Sequence, residues 1–269
     1  MLTNLIYLKV SPIDRFAITW GISAGDYING ISKIPQNIIM INDDVDSSNS
    51  FNVHSNFPTI TGQSQVRDYV IRGYKTGRVP KWMDYKTKDG LDSLSDDEIA
   101  DLLYLAHMDV PRKRNPFSVK LGNEFVYLGG TNGFNRFYFR SFQELNHILE
   151  LSIKRHLRHQ RNNKRIFARP IQMKDIDPEI LHDLLHFSVE GMIIAFELGQ
   201  EVKRQVKMPL FRVAKTQTKV IWGSEGQLLA NANQVGMLTY NTLSNKWSID
   251  LKVKFEQDLN DLWSGGGLE

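Results

Sequence analysis

Three observations predict an α+β fold of antiparallel hairpins packed with three to four helices. Apolar residues recur at helical spacing in four segments, short alternating segments come in pairs around turn residues, and no strand–helix–strand order repeats. At the N-terminus, Ile6–Val10 and Phe16–Trp20 read as two strands separated by Ser11, Pro12, Ile13 and Asp14. The acidic, Ser/Asn-rich stretch 42–56 reads as a loop. Val66, Tyr69, Val70 and Tyr74 give a helix over about 65–76, with Gly77 and Pro80 beyond it as the stop. Residues 84–94 mix Asp, Lys, Thr, Gly and Ser and mark a candidate boundary. The expected organisation is therefore a β-rich region 1–92 with one helix, an α+β region 93–263, and a terminal 264–269 (Ser-Gly-Gly-Gly-Leu-Glu) that reads as a linker and cloning scar.

The second region opens on a capping box. Ser95 offers its oxygen to a free first-turn amide and Glu98 reaches back to the cap amide, ahead of an apolar face of Ile99, Leu102, Leu103, Leu105 and Ala106. Strands Glu124–Leu128 and Phe134–Arg140 flank a glycine-rich turn in which Asn132-Gly133 supplies positive φ. Ser141 and Glu144 repeat the capping-box pattern before a helix with Leu145, Ile148, Leu149, Ile153 and Leu157 on its apolar side. Asp177 as N-cap and Pro178 at the first helical position start the most apolar helix, expected to run from about 178 to 202 at the centre of the core. Trp247, Ile249, Leu251, Val253 and Phe255 alternate with polar residues, so this strand is wet on one face and turns back through 241–245 onto Val235–Tyr240.

Composition excludes several chemistries. The chain has 269 residues and no cysteine, so disulfides, thiol nucleophiles, thiolate zinc and iron–sulfur clusters are ruled out. No apolar run approaches the roughly 20 residues of a membrane span, no basic leader precedes the first strand, and a cytoplasmic location is expected.

The net charge of +3 hides a segregation. Residues 1–103 and 170–269 each carry 10 Lys+Arg and 13 Asp+Glu, whereas residues 104–169 carry 13 Lys+Arg against 4 acids, a local net of +9. Charge of one sign concentrated in a quarter of the chain attracts polyanions. On a helix, Lys154, Arg158, Arg161 and Arg165 fall on one side, spaced like phosphates along a strand, with Arg155 and Lys164 beside them. Strand alternation puts Arg136, Tyr138 and Arg140 on one face and Phe137 and Phe139 on the other, offering guanidinium forks and a ring for base stacking. Arg112, Lys113 and Arg114 are flanking phosphate contacts, and Lys75, Arg78 and Lys81 form a smaller basic loop. His156 and His159 would add charge in mildly acidic conditions. The expected function is non-catalytic binding of DNA or RNA, without a cofactor. The alternative from another class is a protein-interaction module, an inhibitor or regulator whose basic face docks an acidic partner.

Two catalytic patterns give the third alternative, a hydrolase. Gly21-Ile22-Ser23-Ala24-Gly25 is a G-x-S-x-G after a strand and resembles the nucleophile motif of patatin-like lipases, which implies Ser23 as nucleophile paired with a distant aspartate. Only 20 residues precede it, with no glycine to form the oxyanion loop of that family. His182 and His186, one turn apart, with Glu190 a further turn on, are spaced to chelate a metal. The His182-Asp183 pair also resembles the HD phosphohydrolases, which implies a further upstream histidine such as His156 or His159, but Leu185 stands where that pattern has glycine.

Overall fold

The computed structural model describes residues 3–41, 50–75, 79–108, 116–130, 133–141, 143–164, 172–213 and 225–252, with the side chains of 74, 75, 108, 161–164 and 225 excepted. In chain order the elements are β1 (Leu5–Ser11), β2 (Phe16–Trp20), α1 (Ala24–Gly30), β3 (Asn37–Met40), β4 (Ser50–Phe51), β5 (Pro58–Thr61), α2 (Gln63–Lys75), β6 (Lys81–Asp84), α3 (Lys88–Asp92) and α4 (Asp96–Met108). They continue with β7 (Phe125–Gly129), β8 (Phe134–Phe139), α5 (Gln143–Lys164), α6 (Pro178–Ser188), β9 (Met192–Ala195), β10 (Gln200–Val202), β11 (Gln205–Val213), α7 (Glu225–Ala230), β12 (Ala232–Asn241) and β13 (Lys246–Leu251).

All thirteen strands join one antiparallel sheet, in the order β13-β12-β11-β9-β1-β2-β8-β7-β6-β3-β5-β4, with β10 added on β11. The architecture is thus mixed α and β, as expected, but dominated by the sheet, with seven helices among the described residues. Both strands of each predicted hairpin are present, and the sheet crosses position 92, since β6 pairs with β7 and β1 with β9.

Side-chain alternation gives the sheet two faces. The first carries Ile6, Leu8, Ala17, Trp82, Tyr127, Phe137, Phe139, Ile194, Met208 and Leu238 and is covered by α1, α2, α5 and α6 in the largest core. Tyr27 of α1 stands at its centre, ringed by Trp82, Phe125, Tyr127, Phe137 and Phe139 at centroid distances of 4.7–6.5 Å. The second face holds two smaller cores. One packs α3 and α4 on Ile39, Met83, Val126, Leu128 and Tyr138. The other packs α7 on Leu5, Tyr7, Ile193 and Val213.

The expected central helix over 178–202 is corrected by this topology. α6 ends at Ser188, whose hydroxyl donates to the Leu185 carbonyl at 2.5 Å, and Gly191 takes φ +94°. Met192–Ala195 is then a strand between β1 and β11, buried on both faces. A short run buried on both sides has no alternation, so periodicity alone cannot tell it from a helix. The segment at the centre of the first-face layer is instead α5, with Leu145, Ile148, Leu149, Ser152, Ile153, His156 and Leu157 all buried.

The Ser95–Glu98 capping box forms as expected, and Asp177 caps α6 through the Glu179 amide. Ser141 accepts from the Gln143 amide, but Glu144 leaves it and binds the backbone N–H and hydroxyl of Ser32, both at 2.5 Å. A carboxylate that staples α5 to the end of α1 replaces the reciprocal cap. Among the described residues no helix is long and apolar enough to cross a membrane. The terminal 264–269 lies outside the described residues.

Candidate polyanion interface

α5 forms because good helix formers carry apolar residues at three- and four-residue spacing, and its burial against the first face is nearly complete through Leu157. This turns two of its cations inward. Lys154 is buried, with Nζ 2.5 Å from Glu150 and 2.6 Å from Asp175. Glu150 also accepts the Ile176 amide, so the pair ties segment 172–177 to the helix. That segment is clamped from the other side, where Trp247 Nε1 donates to the Lys174 carbonyl and Asn245 bonds Gln172 and Lys174. Lys154 holds the exposed Asp175 carboxyl below its ordinary range.

Arg155 reaches back over α1. Its Nη2 lies 2.7 Å from Asp26 Oδ2 and 3.0 Å from the Gly21 carbonyl. The same Asp26 oxygen accepts from the Ser23 amide and hydroxyl, each at 2.8 Å, and from the Ser152 hydroxyl at 3.1 Å. A buried carboxylate with this many donors and a guanidinium is fully compensated.

His156 does not contribute charge as expected. It is buried and stacked on Phe196 at 4.8 Å, and its Nδ1 sits 2.8 Å from the Ser152 carbonyl. A carbonyl can only accept, so Nδ1 carries the proton and the unprotonated Nε2 lies 3.3 Å from the Thr3 hydroxyl, which donates its own proton to the Leu5 carbonyl at 2.9 Å. Burial, reinforced by the Arg155 cation, pushes its pKa down to about 4, against the pull of the Ser152 bond. Beyond this point the helix leaves the core: Arg158 and His159 are exposed. The α5 backbone continues under Arg161 and Lys164, whose side chains lie outside the described part, as do Arg165 and all of Arg112, Lys113 and Arg114.

The hairpin and the helix do not form one surface, because they present opposite faces of the sheet. Phe137 and Phe139 point at α5 in the first-face core, so Arg136 and Tyr138 point to the second face. Tyr138 is 1% exposed under α4, packed against Phe16, and offers no ring to a base. Tyr138 and Lys154 are thus taken up by the interior and half-buried Arg155 by its ion pair with Asp26, in place of the expected binding surface. Arg136 stacks on Phe16 at 5.2 Å. Arg140 donates to the Asn123 carbonyl at 2.7 Å and stacks on Phe117. Lys81 Nζ donates to the Ala106 carbonyl at the end of α4.

No protein-family profile, curated protein or solved structure matches the chain.

Ser23 is an N-cap. Its oxygen accepts from the Asp26 amide at 3.1 Å while its hydroxyl proton is donated to the Asp26 carboxylate, so the formal G-x-S-x-G is a Ser-x-x-Asp capping box starting α1. Gly21 is glycine because it sits at φ +83° with the Leu5 carbonyl where a Cβ would be. Of the proposed metal set, the His182 and His186 rings are 5.2 Å apart, but Glu190 lies past the helix end and pairs with Arg212 at 2.8 Å. Among the described residues no group of three or more His, Asp or Glu is arranged to hold a metal.

Asp84 is a second buried acid. Asp84, at the end of β6, accepts the Glu124 and Phe125 amides at 2.7–3.1 Å, and burial pushes its pKa up to about 7. A lone acid at a strand end carries no spacing signal that would have found it.

Proposed function

We propose that this protein is a non-catalytic nucleic-acid-binding protein whose contact surface is the outer side of the C-terminal part of α5 and the basic residues that follow it. One observation supports the reading above the others. From 151 to 174 the chain has eight Lys+Arg and no acid, and the two of these that the fold pairs with acidic partners, Lys154 and Arg155, lie at its start. The positive potential therefore concentrates at Arg158, Arg161, Lys164, Arg165 and Arg169. Arginine dominates this set, and its planar fork suits phosphate. Arg112, Lys113 and Arg114 are an accessory contact.

The reading is tested by fluorescence anisotropy with labelled single- and double-stranded DNA and RNA at low salt. Binding that weakens about tenfold in the double variant Arg158→Ala/Arg161→Ala is expected. Unchanged affinity in that variant would remove α5 as the contact, and binding to an acidic protein in place of any nucleic acid would favour the interaction-module alternative.

A further inference from the structure

We infer that the strip of the second sheet face between its two cores is a binding surface for single-stranded nucleic acid, with Lys9 and Arg136 contacting phosphate. The inference rests on the nucleic-acid reading above and adds a surface on the opposite side of the sheet from α5.

Strand register puts the two cations in one row. Lys9 of β1 is opposite Ile18 of β2, and Ile18 is opposite Arg136 of β8. Ile18 packs at the edge of the α7 core and Phe16 at the edge of the α3 and α4 core, so the row lies where the two cores meet, with Lys9, Ile18 and Arg136 all half-buried. Two strand spacings separate them, about 10 Å. In the five adjacent strands β9, β1, β2, β8 and β7, Lys9 and Arg136 are the only charged residues.

Lys9 is the unbalanced member of this row. Lys9 is half-buried, and among the described residues no acid or hydrogen-bond acceptor pairs with it. Partial burial lowers its pKa, which means that its charge has lost hydration without a compensating carboxylate. A phosphate supplies that compensation. Stacking on Phe16 orders the Arg136 guanidinium plane, which reduces the entropy a phosphate fork must spend.

The rims select the class of anion. Phe16 lies on one side of the row. On the other, half-buried Trp20 and Phe134 pack at 4.9 Å, with Tyr7 against Phe134 at 5.9 Å. Cations in a line between aromatic rings match a strand whose phosphates and bases alternate, and an acidic peptide makes no use of the rings. A single strand can settle on a half-buried strip between helical layers, whereas the phosphates of a rigid duplex are held off by those layers.

The test uses the intact chain. Lysines are acetylated with a soluble ester, with and without an oligo-thymidine of about 15 nucleotides, the upper end of the site size of such binders, and labelling is read by mass spectrometry. The expected result is severalfold protection of Lys9 by the single strand, no protection of the exposed Lys88, and no protection of Lys9 by duplex or poly-glutamate. Lys9→Gln/Arg136→Gln is expected to weaken the oligonucleotide about tenfold, with an unchanged far-ultraviolet spectrum. An oligonucleotide that binds and is lost in Arg158→Ala/Arg161→Ala, while Lys9 stays fully reactive, overturns this inference and leaves the α5 reading standing. Protection of Lys9 by poly-glutamate alone also overturns it, and absence of any oligonucleotide binding overturns both.

Discussion

Asp26 and Ser23 show how one local network accounts for residues that read as chemistry. Three hydrogen bonds and an Arg155 ion pair end on the Asp26 carboxylate, so removing it strands a guanidinium whose Nε is already buried without a partner. Asp26→Ala is expected to cost about 3 kcal/mol or more, and Ser23→Ala, a lost cap, only about 1 kcal/mol. Urea unfolding of both variants checks the order, and a fluorophosphonate is expected to leave Ser23 unlabelled. Two buried groups set opposing pH dependences. His156 is neutral in the fold, with its pKa pushed down to about 4, so its contribution is full above the ordinary imidazole value near 6.5 and is lost as pH falls toward 4. Asp84 is raised to about 7, so stability is greatest below the ordinary carboxylate value of 3.8 and is lost as pH rises through 7. Asp84→Asn keeps the oxygen that accepts both amides and drops the buried charge. It is expected to gain on the order of 2 kcal/mol at pH 8 and nothing near pH 4, measured as urea midpoints at the two values. A gain equal at both would show that the fold does not raise the Asp84 pKa.

Among the elements, those with a strong period or a cap were legible. The hairpins 5–20, 125–139 and 232–251 and the starts of α4 and α6 follow from alternation, Asn–Gly chemistry and capping residues. α1 was missed because a seven-residue helix has too few turns for periodicity, and its cap was hidden inside a motif with a catalytic reading. α6 was overrun because β9 is buried on both sides. The same double burial explains why Tyr138 was misplaced: a polar–apolar alternation at 136–140 suggested one wet face, but α4 covers that face from a segment some 30 residues earlier, which no local pattern reveals. Lys154 and Arg155 were placed outside because helical spacing gives an angle and not the height of the neighbouring layer. That layer is close, since a Cβ on Gly30 would lie 2.7 Å from the Ile148 Cα. Gly30→Ala is therefore expected to force α1 off α5 at a cost of about 1–3 kcal/mol, seen as a lower thermal midpoint; an unchanged midpoint would mean that the two helices can separate freely.

At the scale of the whole molecule, the sheet divides the charge that the sequence had gathered. The 104–169 segment places Arg136 on one face and α5 on the other, with two of its cations neutralised inside. What remains on the α5 side is exposed Arg158, followed in the sequence by an acid-free basic stretch, and on the opposite side a single row of two cations between aromatic rings. The candidate surface was legible as composition, because charge is counted along the chain. Its division was not, because which face a residue takes depends on pairing between strands more than 100 residues apart, as in β2 with β8. The central claim is electrostatic recognition of nucleic acid, and the salt dependence of affinity tests it most directly. Anisotropy titrations of a labelled single strand from about 50 to 200 mM salt are expected to give a linear, steep fall in log K with log salt, shallower by about 0.7 for each arginine removed at 158 and 161. Absence of binding at the lowest salt, or an affinity that does not change across the range, would contradict the account.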